Sequence, residues 1–118
     1  MFKVLDYTKD DVIAIQVEGN ITKADYEKIN PLIDKKVNEF GKIKFFILMN
    51  NIDAIKPEAM VSDVKMYLNH YAHISKVAVA GDKTWQRIIA GIANPFILGK
   101  IKYFPKEDVE NALQWIKE

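Results

Sequence analysis

Two histidines, His70 and His73, are the only imidazoles in the chain, and they stand three residues apart. On a helix that spacing sets two side chains on one side, which is a beginning of a metal site. A zinc site needs further ligands, and only Asp63 or Asp82 offers itself nearby in the sequence. Two histidines without a third ligand are a weak metal signature, so the pair reads as solvated or capping and no metal is expected. The chain has no cysteine, which removes thiol nucleophiles, zinc–thiolate centres and disulfides. No Ser–His pair and no paired carboxylates emerge from the spacing, so the chain reads as non-enzymatic and without a cofactor.

Asp82 follows Gly81 at the end of an expected strand and precedes an expected helix. Open α/β sheets bind ligands at the C-terminal ends of their strands, so Asp82, with His70, is a candidate polar anchor. The plainer role for Asp82 is an N-cap, accepting from free amides and complementing the helix dipole. The Gly-Asp turn is not a phosphate loop, since it lacks the glycine spacing and the Lys-Ser/Thr pair.

The segment that follows, residues 83–99, is more apolar than a surface helix of a small domain requires. Trp85, Ile88, Ile89, Ile92 and Phe96 recur at the three- and four-residue spacing of one helix face. Ala93, Ile97 and Leu98 widen that stripe, while Gly91 and Asn94-Pro95 weaken the helix. The stripe is either ordinary core or a working surface for an apolar ligand, a membrane or another protein. Its polar side holds only Lys83, Gln86 and Arg87 before Lys100, thin for a helix relying on anionic lipid. Tyr67 and Tyr71, on the helix expected before it, are placed in the same region because consecutive crossovers tend to be neighbours.

The elements that must position these residues follow from periodicity. Residues 2–7 read as a strand and Lys9-Asp10-Asp11 as a polar turn. Val12–Glu18 is a second strand, with Ile13, Ile15 and Val17 on one side and Gln16 and Glu18 on the other. Thr22 is the expected N-cap of a helix, with Asp25 in the capping-box position and Ile21 and Tyr26 at staple spacing. That helix carries Tyr26, Ile29, Ile33, Val37 and Phe40 as one stripe. Pro31 is expected to kink or split it, and Gly41 to stop it. Residues 43–49 form the most hydrophobic strand, which is expected at the centre. A helix opened by Pro57 follows, with Met60, Val64, Tyr67, Leu68 and Tyr71 on one face. Residues 77–80 are a strand, then comes the apolar helix, then a strand over 101–104. Pro105 opens the last helix, with Val109, Ala112, Leu113 and Ile116 facing inward and Trp115 off the main stripe, at an edge of the core.

The order ββαβαβαβα makes this one α/β domain over residues 1–118, with a mixed five-stranded sheet and four helices. Several strands alternate instead of running continuously apolar: Lys44 lies among Ile43, Phe45 and Ile47, Lys102 between Ile101 and Tyr103, and small Ala78 and Ala80 oppose Val77 and Val79. A strand covered on both faces would read as an unbroken apolar run, so the helices are expected mainly on one face.

Composition excludes several classes. The 118 residues fit one core-bearing domain, and a net charge of +1 with interspersed signs argues against nucleic-acid binding. The lysines at 35, 36, 42 and 44 read as a solvated face, because Asp34 and Glu39 interleave with them. No run reaches the roughly 18–20 apolar residues of a membrane span, and the N-terminal sequence lacks the pattern of a signal peptide. A cytoplasmic location is the expectation, with peripheral association at the inner face of the membrane as an extension of it.

Together these segments resemble the SpoIIAA-like family, related in fold to anti-sigma-factor antagonists and STAS domains. The pieces that carry the resemblance are Thr22-x-x-Asp25-Tyr26 with Pro31, Lys76-Val77-Ala78-Val79-Ala80-Gly81-Asp82-x-x-Trp85, Asn94-Pro95-Phe96, and Tyr103-Phe104 followed by Ala112-x-x-Trp115. The resemblance implies a βα superhelix around a small sheet. STAS relatives are often phosphorylated on a Ser in an Asp-x-Ser-Gly turn after the third strand. The corresponding stretch here, residues 50–58, has no Ser, Thr or Gly, so the phospho-switch does not carry over. Lipid-carrier domains share this fold, which by analogy implies an apolar ligand or a membrane surface. The reading is therefore a reversible binding module for an apolar small molecule, a lipid or a membrane surface. Its alternative is a STAS-like regulatory protein–protein module, including a homodimer.

Overall fold

The structure, a computed structural model, describes residues 2–18, 22–50, 71–81 and 101–118. They form a five-stranded sheet in the order β1-β2-β3-β4-β5. The strands are β1 (Phe2–Val4), β2 (Val12–Glu18), β3 (Ile43–Asn50), β4 (Ile74–Gly81) and β5 (Ile101–Pro105). β1 pairs antiparallel with β2, and every other pairing is parallel. The sheet is therefore mixed, as expected, with the hydrophobic 43–49 stretch as its middle strand. Spatial order equals chain order, so each strand is laid beside the one before it.

The first hairpin closes through side chain as well as backbone. The Thr8 hydroxyl accepts from the Ala14 N–H at 2.9 Å and donates to the Ala14 carbonyl at 3.1 Å. β1 is accordingly shorter than the 2–7 stretch read from sequence, ending at Val4 where the chain turns. Asp10 takes a positive φ of 54° in the turn, within the tolerance of aspartate for the left-handed region.

Helix α1 (Lys23–Phe40) begins as predicted. Thr22 is its N-cap, and the capping box with Asp25 is complete in both directions. The Thr22 N–H donates to Asp25 Oδ2 at 2.8 Å, and the Asp25 N–H donates to Thr22 Oγ1 at 3.4 Å. Pro31 does not split the helix, which runs through it for 18 residues. Pro31 and Glu27 both lie on the exposed side, so the carbonyl that proline leaves without an amide partner faces the solvent side of the helix. Tyr26, Ile29 and Ile33 are buried and Val37 is half-buried, but Phe40 is not part of the buried stripe: it is exposed in the last turn, with the Lys36 ammonium 5.8 Å from its ring centre. Gly41 ends the helix at φ 80°, its N–H donating to the Val37 carbonyl at 2.8 Å.

The sheet has two buried faces. Ile13, Ile15, Val17, Phe45, Val77 and Val79 point to one, where Ile29 and Ile33 of α1 pack. Val12, Ala14, Phe46, Ala78, Ala80 and Phe104 point to the other, where the second helix, α2 (Val109–Lys117), sets Ala112 and Ile116. Among the described residues there are two α-helices, and they lie on opposite faces, not together on one. The other two expected helices fall on residues 57–71 and 83–99, which lie almost wholly outside the described ones. Tyr71 is the exception, and its backbone belongs to a 3₁₀ turn, Tyr71–His73, not to an α-helix.

The physical reason for the two-sided cover is the alanine row. Small residues that looked like an open face let a helix backbone approach closely. Ala14, Ala78, Ala80 and Ala112 are all fully buried. α2 also follows the last strand, so no crossover-handedness rule assigns it a face. Pro105 is the last residue of β5; a 3₁₀ turn, Lys106–Asp108, intervenes before α2.

Candidate functional site

The residues singled out from sequence as a binding surface are Trp85, Ile88, Ile89, Ile92, Phe96, Tyr67 and Tyr71, with Asp82 and His70 as polar anchors. All but Tyr71 lie outside the described residues, and of Tyr71 only the backbone is described. The same holds for Ile21 of the expected staple and for the 51–58 part of the turn that lacks a phospho-acceptor. What the structure does describe is the frame from which those segments depart.

β4 delivers the chain into the apolar segment. Its residues Val77, Ala78, Val79, Ala80 and Gly81 are buried in sequence, because two strands flank it and both faces are covered. Gly81 is the exit point. The Tyr103 hydroxyl, from the neighbouring β5, donates to the Gly81 carbonyl at 2.7 Å. Because β4 and β5 are parallel, Gly81 and Ile101 lie at opposite ends of the β4–β5 ladder. The chain therefore leaves at the C-terminal ends of the strands, the end at which α/β sheets bind ligands. The same end carries Glu18, whose carboxylate accepts a hydrogen bond from the Gln16 amide, and Asn50, paired in register with Glu18.

The opposite end carries a cationic and aromatic cluster that the sequence reading did not anticipate. Lys76 Nζ donates to the carbonyls of Trp115 at 3.3 Å and Glu118 at 3.0 Å. Lys44 Nζ reaches the Glu118 carbonyl at 3.5 Å and lies 3.6 Å from Asp11 Oδ2. Two strand lysines thus cap the C-terminus of α2, where unpaired carbonyls and the helix dipole favour cations. Trp115 packs at the edge of the core, as expected, 5.9 Å from Phe104. The ammonium groups of Lys76 and Lys102 lie 5.0 and 5.8 Å from its ring. The signal was present in the sequence: Lys44, Lys76 and Lys102 occupy the positions whose side chains fall on the α2 face. Lys44 and Lys102 do not mark an open face: the stems run along apolar surface, Lys44 and Lys76 carry their charge to the helix end, and Lys102 sets its ammonium against the Phe104 and Trp115 rings. The Lys44 side chain is only 16 % exposed. Lys36 likewise has a structural task, its ammonium donating to the Asp10 carbonyl.

Burial pushes the Asp25 carboxyl up, but hydrogen bonds from the Thr22 N–H and hydroxyl outweigh it and hold the group below its ordinary value. His73 is exposed in its 3₁₀ turn, and among the described residues no three metal-ligating side chains gather. No helix among them is long and apolar enough to cross a membrane.

These features can be set beside known proteins. A sequence model described as SpoIIAA-like matches residues 12–117. The structure is similar to that of an uncharacterized protein with a SpoIIAA-like fold from Shewanella loihica PV-4, with a TM-score of 0.67 and 29% identity, over 98% of this chain and 92% of that one. No curated protein matches the chain. With the family model spanning β2 through α2, and a solved relative covering nearly the whole chain, the protein belongs to the SpoIIAA-like family.

Proposed function

We propose that the protein is a non-enzymatic binding module that associates reversibly with an apolar ligand or a membrane surface through the face of Trp85, Ile88, Ile89, Ile92 and Phe96. The observation that carries this reading is the exit of β4. A buried strand ends at Gly81, its carbonyl held by Tyr103, and passes the chain, at the ligand-binding end of the sheet, into a segment more apolar than a surface helix requires. Membership of the SpoIIAA-like family supports a regulatory module over a catalyst. The lack of Ser, Thr or Gly over 50–58 moves the weight of the function away from the turn after β3.

The test is a pair of single substitutions, Ile88→Glu and Ile92→Glu. Flotation with vesicles of mixed neutral and anionic phospholipid, and native mass spectrometry for a carried apolar molecule, provide the readout. The wild type is expected to float or to carry ligand. The variants are expected to keep the wild-type urea midpoint and lose that association. Wild-type protein that neither floats nor carries any apolar molecule overturns the reading, and so do variants that simply unfold, since core residues made charged cost several kcal/mol.

The second reading, a regulatory protein–protein module acting as a homodimer, is favoured by the STAS-like relationship of the fold. It predicts a dimer in light scattering that either substitution dissociates. A monomer at high concentration counts against it.

A further inference from the structure

We draw no further inference here: the strongest candidate, the surface patch of Lys76, Lys102 and Trp115 beside the C-terminus of α2, is already accounted for by the capping of that helix, and nothing in the structure shows what covers it.

Discussion

The Thr22 hydroxyl both accepts from the Asp25 N–H and donates to the Asp25 carboxylate, so one threonine ties down the start of α1 twice. Thr22→Ala removes both bonds and is expected to lower stability by about 1 kcal/mol in urea denaturation. The same pair gives a pH signature. Asp25 has a folded pKa below its ordinary value, so its contribution is fully present above the unfolded value of about 4. It is lost as pH falls through the folded value. The gap between the stability profiles of the wild type and Thr22→Ala should therefore be widest above pH 4 and narrow below it, to what the Asp25 N–H bond to the hydroxyl contributes. A constant gap across the acid limb would show that the bond from the Thr22 hydroxyl to the carboxylate contributes nothing. At the other end of α1, nothing lies within 4 Å of a methyl group built on Gly41, yet its φ is +80°. Gly41→Ala is expected to cost about 1–2 kcal/mol through the backbone alone.

Elements in this fold are joined by polar contacts at their ends as much as by packing. α2 is only nine residues long, too short to be stable by itself, so its helicity depends on the sheet. Ala112 and Ile116 supply the packing, and Lys44 and Lys76 satisfy carbonyls that a helix end leaves open. Lys76→Met keeps most of the stem and removes the donor. It is expected to lower stability by about 1 kcal/mol and to speed amide exchange in the last turn of α2 more than in α1. An equal change in both helices, or none in the last turn of α2, would refute the capping role. Pro31 shows the converse case. A proline that breaks a buried helix is tolerated in α1 because it sits on the exposed side, so the element survives as one piece.

The molecule as a whole is a sheet with different packing on its two faces. Branched and aromatic side chains meet α1, while alanines bring α2 close. Ala112→Leu adds volume at a fully buried position and is expected to cost about 1–3 kcal/mol, read from the thermal midpoint. A neutral result would mean that α2 can ride further from the sheet. Much of this architecture was legible beforehand. Val12–Glu18 reads as a strand from its alternation, α1 from its stripe, its Thr22-Asp25 box and Gly41, and the mixed sheet from element order, because period, caps and connection length are local properties of the chain. The family was legible from the spacing of motifs along the whole length. The face taken by α2 was not, and neither was the fate of Lys44, Lys76 and Lys102. Alternation records that a strand has two unlike faces, but not which neighbour will cover the smaller side chains. An alanine row admits either solvent or a closely approaching helix, and a lysine among apolar residues can point to water or to another element's carbonyls. Only the tertiary structure decided between them, by bringing the C-terminus of a helix over 30 residues away in sequence to the ammonium of Lys76. By itself the sequence determined the strands, the caps of α1 and the apolar character of 83–99; the fold decided that the sheet is covered from both sides.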